Sequence, residues 1–256
     1  MEVYKINNIE TATVLKRPSA LIKTPYVSDI QLHNDIEPHL GHSLSLGCCG
    51  LCDKGATILV SPIQNVKPGI HCNYTVQLSK THTNVLVGIN PRLAEHIVEN
   101  CIINKLIMPE ITSYKREYTV DKNILGFEDA VRFDFGGTVS ENIPFYLEVK
   151  NVPLATDKGV AYFPDGYRKK PGDTVSPRAL KHIKELMHIK QNTSARCAIC
   201  YVIQRNDVTQ FEISKSDPEY REAVFMAIKN GVEAFAIVIE WTETGEARFT
   251  KTLDVT

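Results

Sequence analysis

The sequence predicts a mixed α/β protein with an all-β first third and an α/β remainder, and three observations carry that reading. The first eighty or so residues hold short β-prone runs, cut by Pro18, Pro25, Pro38, Gly41, Gly47, Pro62 and Pro68-Gly69. From about Pro91, helical spacing alternates with strand-like runs. Within that second part, two segments are dense in aromatic and β-branched residues, Arg132-Phe133-Asp134-Phe135 and Phe145-Tyr146-Leu147-Glu148-Val149-Lys150. Gly136-Gly137, Asn142 and Pro144 separate them, so they read as two strands joined by a loop.

In chain order, the candidate strands of the first part are Thr13–Lys16, Tyr26–Leu32, Ala56–Ser61, Tyr74–Leu78 and Asn84–Ile89. Their spacing suits a small barrel or sandwich, and the predicted division is 1–85 and 86–256. Leu93, Ile97, Cys101 and Ile102 follow helical spacing, with Asn90 as N-cap and Pro91 at the first helical position. After the two aromatic strands, Ser176-Pro177 opens a helix whose apolar face is Leu180, Ile183, Leu186 and Met187, with Ser176 capping. Arg196–Gln204 reads as a buried strand. Asp217-Pro218 opens a second helix through Ala223, Val224, Ala227 and Ile228, which Asn230-Gly231 stops before the strand Val232–Trp241.

Side chains alternate along a strand, so Glu148 and Lys150 point one way while Leu147 and Val149 point into a core. If the first strand pairs with the second, Asp134 comes up beside Glu148. Two carboxylates and an ammonium then gather at one spot. Those are the parts for Mg²⁺- or Mn²⁺-assisted phosphodiester hydrolysis, a hard cation on one or two carboxylates with a lysine near the attacking water or the phosphate. The alternative is an exposed, self-screened charge pair on a solvated face, which contributes little. The apolar flanks favour a strand inside a sheet.

Between Gly166 and Arg196 the chain carries Arg168, Lys169, Lys170, Arg178, Lys181, Lys184, Lys190 and Arg196 against Asp173 and Glu185. Arg178, Lys181 and His182 lie three or four residues apart on the helix and share a face opposite or beside the apolar stripe. Cations beside a metal–carboxylate site suit a phosphate backbone; a solvated helix face with a basic loop is the competing reading. Cys48-Cys49-Gly50-Leu51-Cys52 has in Cys49 and Cys52 the spacing of half a zinc site, which His39, His42, His71 or Cys72 could complete. Small thiols packed in a tight turn explain the cluster equally simply, because no spacing fixes the second ligand pair. Cys197 and Cys200 share that spacing but lie in an apolar strand.

Composition excludes several classes. The chain has 256 residues, 43% apolar and 23% charged, with no low-complexity tract, so it can bury a proper core. A formal net charge of −1 argues against non-specific coating of nucleic acid but permits a local basic patch. No apolar run approaches a membrane span, and Met1-Glu2-Val3-Tyr4-Lys5 lacks the build of a signal peptide. Seven cysteines, an odd number, then lead to an expectation of reduced thiols in an intracellular compartment, cytoplasmic or nuclear.

With these segments in hand, the chain resembles the sugar fermentation stimulation protein A family. The resemblance is close over Tyr146–Glu185. It rests on Leu147-Glu148-Val149-Lys150-Asn151-Val152-Pro153-Leu154, on Phe163-Pro164-Asp165, and on the helix opening Arg178 to Leu186. Val131-Arg132-Phe133-Asp134-Phe135, an upstream Glu117, Asp217-Pro218-Glu219-Tyr220 and Gly231-Val232-Glu233 extend it over nearly the whole chain. The resemblance implies an N-terminal OB-like β-barrel followed by a restriction-endonuclease-like α/β sandwich of the PD-(D/E)xK type. It further implies DNA binding and a regulatory role in sugar metabolism. On that fold Asp134 and Glu148 would be metal ligands, Lys150 the catalytic lysine and Glu117 a further acid. Two departures stand out: His39 is followed by Leu40-Gly41-His42 and the cysteine cluster, and about Gly166–Val175 lengthens the basic loop.

The leading expectation is therefore a protein that binds nucleic acid, DNA first, and cuts it with Mg²⁺ or Mn²⁺. Asp134, Glu148 and Glu117 would hold metal, Lys150 would orient water or neutralise charge, and Lys169, Lys170, Arg178, Lys181 and His182 would grip phosphates. Bases would stack on Tyr26 or Tyr74 of the barrel. The alternatives are a non-catalytic DNA-binding regulator and a hydrolase of a small phosphorylated molecule.

Overall fold

The computed structural model describes residues 1–45, 50–64, 72–120, 127, 130–164 and 174–256. The chain divides into two compact units, Met1–Ile97 with Ile203–Asp207 and Val238–Lys251, and Val98–Val202 with Val208–Ile237 and Thr252–Thr256. In chain order the strands of the first half are β1 (Glu2–Lys5), β2 (Glu10–Lys16), β3 (Val27–Leu32), β4 (Pro38–His42), β5 (Thr57–Pro62), β6 (Tyr74–Lys80) and β7 (Leu86–Gly88). Helix α1 (Arg92–Ile103) follows, then β8 (Ile111–Val120), β9 (Val131–Val139), β10 (Pro144–Val152) and β11 (Val160–Phe163). The chain closes with α2 (Pro177–Asn192), β12 (Arg196–Ile203), β13 (Gln210–Ile213), α3 (Pro218–Lys229), β14 (Glu233–Trp241) and β15 (Glu246–Leu253).

In the first unit six strands run in the order β4-β3-β2-β5-β6-β7, each pair antiparallel. Strand β4 also pairs in parallel with β6, through Gly41 with Tyr74 and His42 with Thr75, and so closes β2 to β6 into a five-stranded barrel. Closure removes the unpaired edges an open sheet would leave. The alternation of apolar residues dictates what faces inward: Ala12 and Val14, Ile30 and Leu32, Ile58 and Val60, and Val76 are all buried in one core. The expected OB-like barrel is present, with β4 as a strand the sequence pattern did not mark. Asn90 caps α1 as expected, its Oδ1 accepting from Arg92 N–H at 3.0 Å while its amide donates to Gln77 at 2.7 Å. Strand β1 lies outside the barrel and pairs antiparallel with β15.

The second unit holds strands in the order β14-β12-β10-β9-β8, with β9 antiparallel to both β8 and β10. Strand β12 is fully apolar from Cys197 to Val202 and buried along that length, as expected of a central strand. Helix α2 buries Ala179, Leu180, His182, Ile183, Leu186 and Ile189. It packs beside α3, to which Lys184–Glu219 at 3.1 Å and Gln191–Asn230 at 3.0 Å bind it. Together these make the expected mixed α/β architecture, a sheet with helices.

The start of α2 differs from expectation. Ser176 makes no side-chain cap bond. Instead the buried carboxylate of Asp217, the N-cap of α3, accepts from Tyr220 N–H at 3.3 Å and from Val175 N–H at 2.7 Å. One side chain thus fastens the starts of both helices. Asp217→Ala removes a cap and strands a partly buried amide, so it is expected to cost about 2 kcal/mol, read as a lower urea midpoint.

Candidate functional site

The paired register of β9 and β10 runs from Pro144↔Thr138 to Leu147↔Phe135. Just past that register, Asp134 Oδ2 of β9 accepts the Val149 N–H of β10 at 2.7 Å, next to Glu148 in the chain. The acid of β9 is therefore fixed by the backbone of the strand that carries the other acid and the lysine. Unlike the sequence expectation of one core face, β10 is buried on both: Leu147 and Val149 on one side, Glu148 at 2% exposure on the other. An isolated carboxylate at that depth would be costly, and partners offset the cost.

Glu148 Oε1 accepts from both Lys150 Nζ and His182 Nδ1. Its second oxygen, Oε2, is buried and makes no hydrogen bond among the described residues. Burial by itself pushes the Glu148 carboxyl up, but the Lys150 charge and the His182 bond outweigh it and hold the group below the usual glutamate range. A carboxyl lowered in the folded state contributes stability that is complete above the ordinary glutamate value and is lost as pH falls through the folded value. Unfolding midpoints are accordingly expected to fall in acid, and Glu148→Gln should flatten that part of the profile.

Histidine 182 is the placement that differs most from expectation. Rather than sharing an exposed face with Arg178 and Lys181, it is buried at 8% exposure, turned to Glu148 with its ring edge-on to Phe133 at 6.2 Å. The signal was present in the sequence: position 182 lies three residues after Ala179 and four before Leu186, inside the buried stripe. Arg178 and Lys181 are exposed, with Lys181 Nζ 3.7 Å from Glu185. Lys169 and Lys170 lie outside the described residues. Other cations of that stretch are committed to the fold. Lys190 donates to Ala195 O at 3.1 Å, and Arg196 holds Glu233 at 2.6 Å and Glu110 at 2.8 Å.

Glu117 faces solvent on β8, in a left-handed conformation (φ 48°), and its nearest charge is Arg132 at 3.6 Å. The β8–β9 register, Arg116↔Phe135 and Tyr118↔Phe133, puts Glu117 across from Asp134, with its side chain exposed. A residue the sequence reading left out, Glu185, lies closer to the cluster. Burial raises its carboxyl, the Glu148 charge adds to this, and His182 and Lys181 pull it back only in part.

Among the described residues, no three His, Cys, Asp or Glu side chains form a ready metal cage. Mg²⁺ seldom needs one, because it binds through one or two carboxylates and keeps waters or substrate phosphates. A buried Glu148 oxygen without a hydrogen-bond partner among the described residues, with Asp134 bonded to the adjoining Val149 N–H, fits that kind of ion. The zinc alternative falls partly outside the described residues, which include neither Cys48, Cys49 nor His71. Cys52 and Cys72 are buried, and burial pushes the Cys197 thiol up to about 12. On the barrel, Tyr26 is 39% exposed with its ring 6.4 Å from His42, and Tyr74 meets His39 edge-on at 5.4 Å. Among the described residues, no helix is long and apolar enough to cross a membrane.

The sugar fermentation stimulation protein RE domain model matches residues 89–245, the stretch that carries the whole cluster. A sugar fermentation stimulation protein homolog of Bartonella tribocorum is 37% identical over 191 residues, covering 73% of this chain and 72% of the relative. Its counterpart in Clostridium novyi is 28% identical over 234 residues, 90% of each chain. In three dimensions the chain is similar to Pyrococcus furiosus SfsA in complex with Ca²⁺, at a TM-score of 0.79 and 21% identity, covering 100% of this chain and 99% of that one. At that identity the likeness establishes the fold, whereas the family model and the Bartonella relative establish kinship. This chain belongs to the sugar fermentation stimulation protein family.

Proposed function

We propose that the protein binds nucleic acid, DNA foremost, and hydrolyses its phosphodiester bonds with a divalent cation held by Asp134 and Glu148. The observation that carries this reading is the buried Glu148 Oε2, which has no hydrogen-bond partner among the described residues, on a carboxylate whose other oxygen holds Lys150 and whose neighbour Val149 is bonded to Asp134. The Ca²⁺ held by the Pyrococcus furiosus relative supports it, since Ca²⁺ and Mg²⁺ both take hard oxygen ligands. When bound, Mg²⁺ or Mn²⁺ supplies Lewis-acid polarisation of the phosphate and lowers the pKa of water.

The chain's own residues supply the rest. Lys150, 12% exposed at its side chain, is held against Glu148 and is positioned to neutralise charge that develops on the phosphate. The exposed Arg178 and Lys181 border the site on α2 and would meet flanking phosphates, with Lys169 and Lys170 of the preceding loop expected to join them. Tyr26 and Tyr74 would stack unpaired bases on the barrel. Glu117, facing outward, would serve through a metal's water shell rather than as a direct ligand. The division into a barrel, residues 1–85, and a nuclease-like α/β domain, residues 86–256, belongs to the same proposal.

The test is a cleavage assay on single-stranded, duplex and flapped DNA and on RNA, with Mg²⁺, Mn²⁺ or EDTA, beside Asp134→Ala. Cutting that needs metal and disappears in the variant is the expected result. Cutting that survives both EDTA and Asp134→Ala would sink the mechanism. A second reading, a DNA-binding regulator without catalysis, is favoured by the lack of a three-ligand cage among the described residues. Binding with steep salt dependence and no cleavage in any metal would select it, and a role in sugar metabolism would then rest on regulation.

A further inference from the structure

Two donors converge on one oxygen of Glu148, while the other has no hydrogen-bond partner among the described residues. Lys150 comes from the same strand, two residues on, so its presence follows from β-strand alternation. His182 does not: it arrives from a different element, α2, and its ring is wedged against Phe133. The acceptor decides the tautomer. An ionised carboxylate can only accept, so Nδ1 carries the proton and donates it to Oε1.

We propose that His182 is a positioning residue of the metal site: with Lys150 it occupies Oε1 of Glu148 and so presents Oε2 as the oxygen that takes the divalent cation. This rests on the metal-dependent reading above. Without His182, Lys150 alone holds a carboxylate that can rotate and offer either oxygen to its ammonium. With both donors in place, rotation would break the bond from a ring that packing against Phe133 restrains. The cation then meets one prepared oxygen rather than a mobile pair. Supporting residues of this kind, one bond away from the ligand atom, govern metal affinity without touching metal.

The experiment is isothermal titration of the full chain with MnCl₂, for wild type, H182A and H182N. H182A is expected to weaken Mn²⁺ binding about 10- to 100-fold. H182N, whose amide nitrogen stands close to the place of Nδ1, should keep most of the affinity, which a merely space-filling role would not require. Equal affinity in wild type and H182A would overturn the inference while leaving the metal-dependent function intact. Absence of Mn²⁺ binding by the wild type would overturn both. Should H182A fail to fold, ¹⁵N NMR of the wild-type imidazole decides: the Nδ1–H tautomer is expected, and the Nε2–H tautomer overturns the proposal.

Discussion

Replacement of Lys150 by alanine is expected to lower metal-dependent cleavage by about a hundred- to a thousandfold, the usual cost of removing one preorganised charge at a transition state. Two effects act together. The cation proposed to neutralise phosphate charge is lost, and Glu148 loses the largest of the influences that hold its carboxyl down. Burial then pulls Glu148 upward, so the acid limb of the pH–rate profile should move to higher pH in the variant. Single-turnover rates measured across pH would read both changes. A rate unchanged from wild type would remove Lys150 from the mechanism, whatever the fate of the other residues.

The largest expected effect on stability comes from a glycine that touches no substrate. In β9, Gly137 lies opposite Tyr114 of β8. A Cβ built there would lie 2.1 Å from Ser113 O and 2.8 Å from Tyr114 Cα, both backbone atoms that no rotamer change can move. The strands would have to separate, so Gly137→Ala is expected to destabilise the second unit by about 3 kcal/mol. That corresponds to a fall in melting temperature of roughly 6–12 °C, measurable by calorimetry. Because β9 also carries Asp134, metal affinity should fall with it. An unchanged melting temperature would mean that β8 is held to β9 more loosely than this packing implies.

The two strands of the cluster were legible because their composition is extreme: Phe133, Phe135, Phe145 and Leu147 are almost fully buried, and aromatic density marks such strands in sequence. Alternation alone placed Glu148 and Lys150 on one face, where the Lys150 ammonium does meet the Glu148 carboxylate. Strand β4 was hidden by Pro38 and Gly41, residues depleted in strands, and its parallel pairing with β6 is a long-range event that local propensity does not encode. Strand β8 does carry a period-two signal in Tyr114, Tyr118 and Val120, but Arg116 and the surrounding charges masked it. His182 sits among several lysines, which led it to be placed on their face of α2. The spacing from Ala179 and Leu186 would have placed His182 inward. Only the third dimension supplies the carboxylate that makes an inward histidine stable.

The pairing of β1 with β15 sets the order in which the first unit can assemble. Glu2 is matched with Arg248, Tyr4 with Ala247, and the Met1 amino group with the Phe249 carbonyl at 3.1 Å. Residues of β1 therefore wait for partners that lie far along the chain. The barrel strands β2 to β6, with Val87 and Ile89 that complete their core, draw on no residue beyond the start of α1 and can close early. Strand β1 must remain unpaired throughout the synthesis of more than two hundred intervening residues. Contacts of such sequence separation form late and slowly, and until then the short β1 edge is the part of the chain most exposed to mispairing.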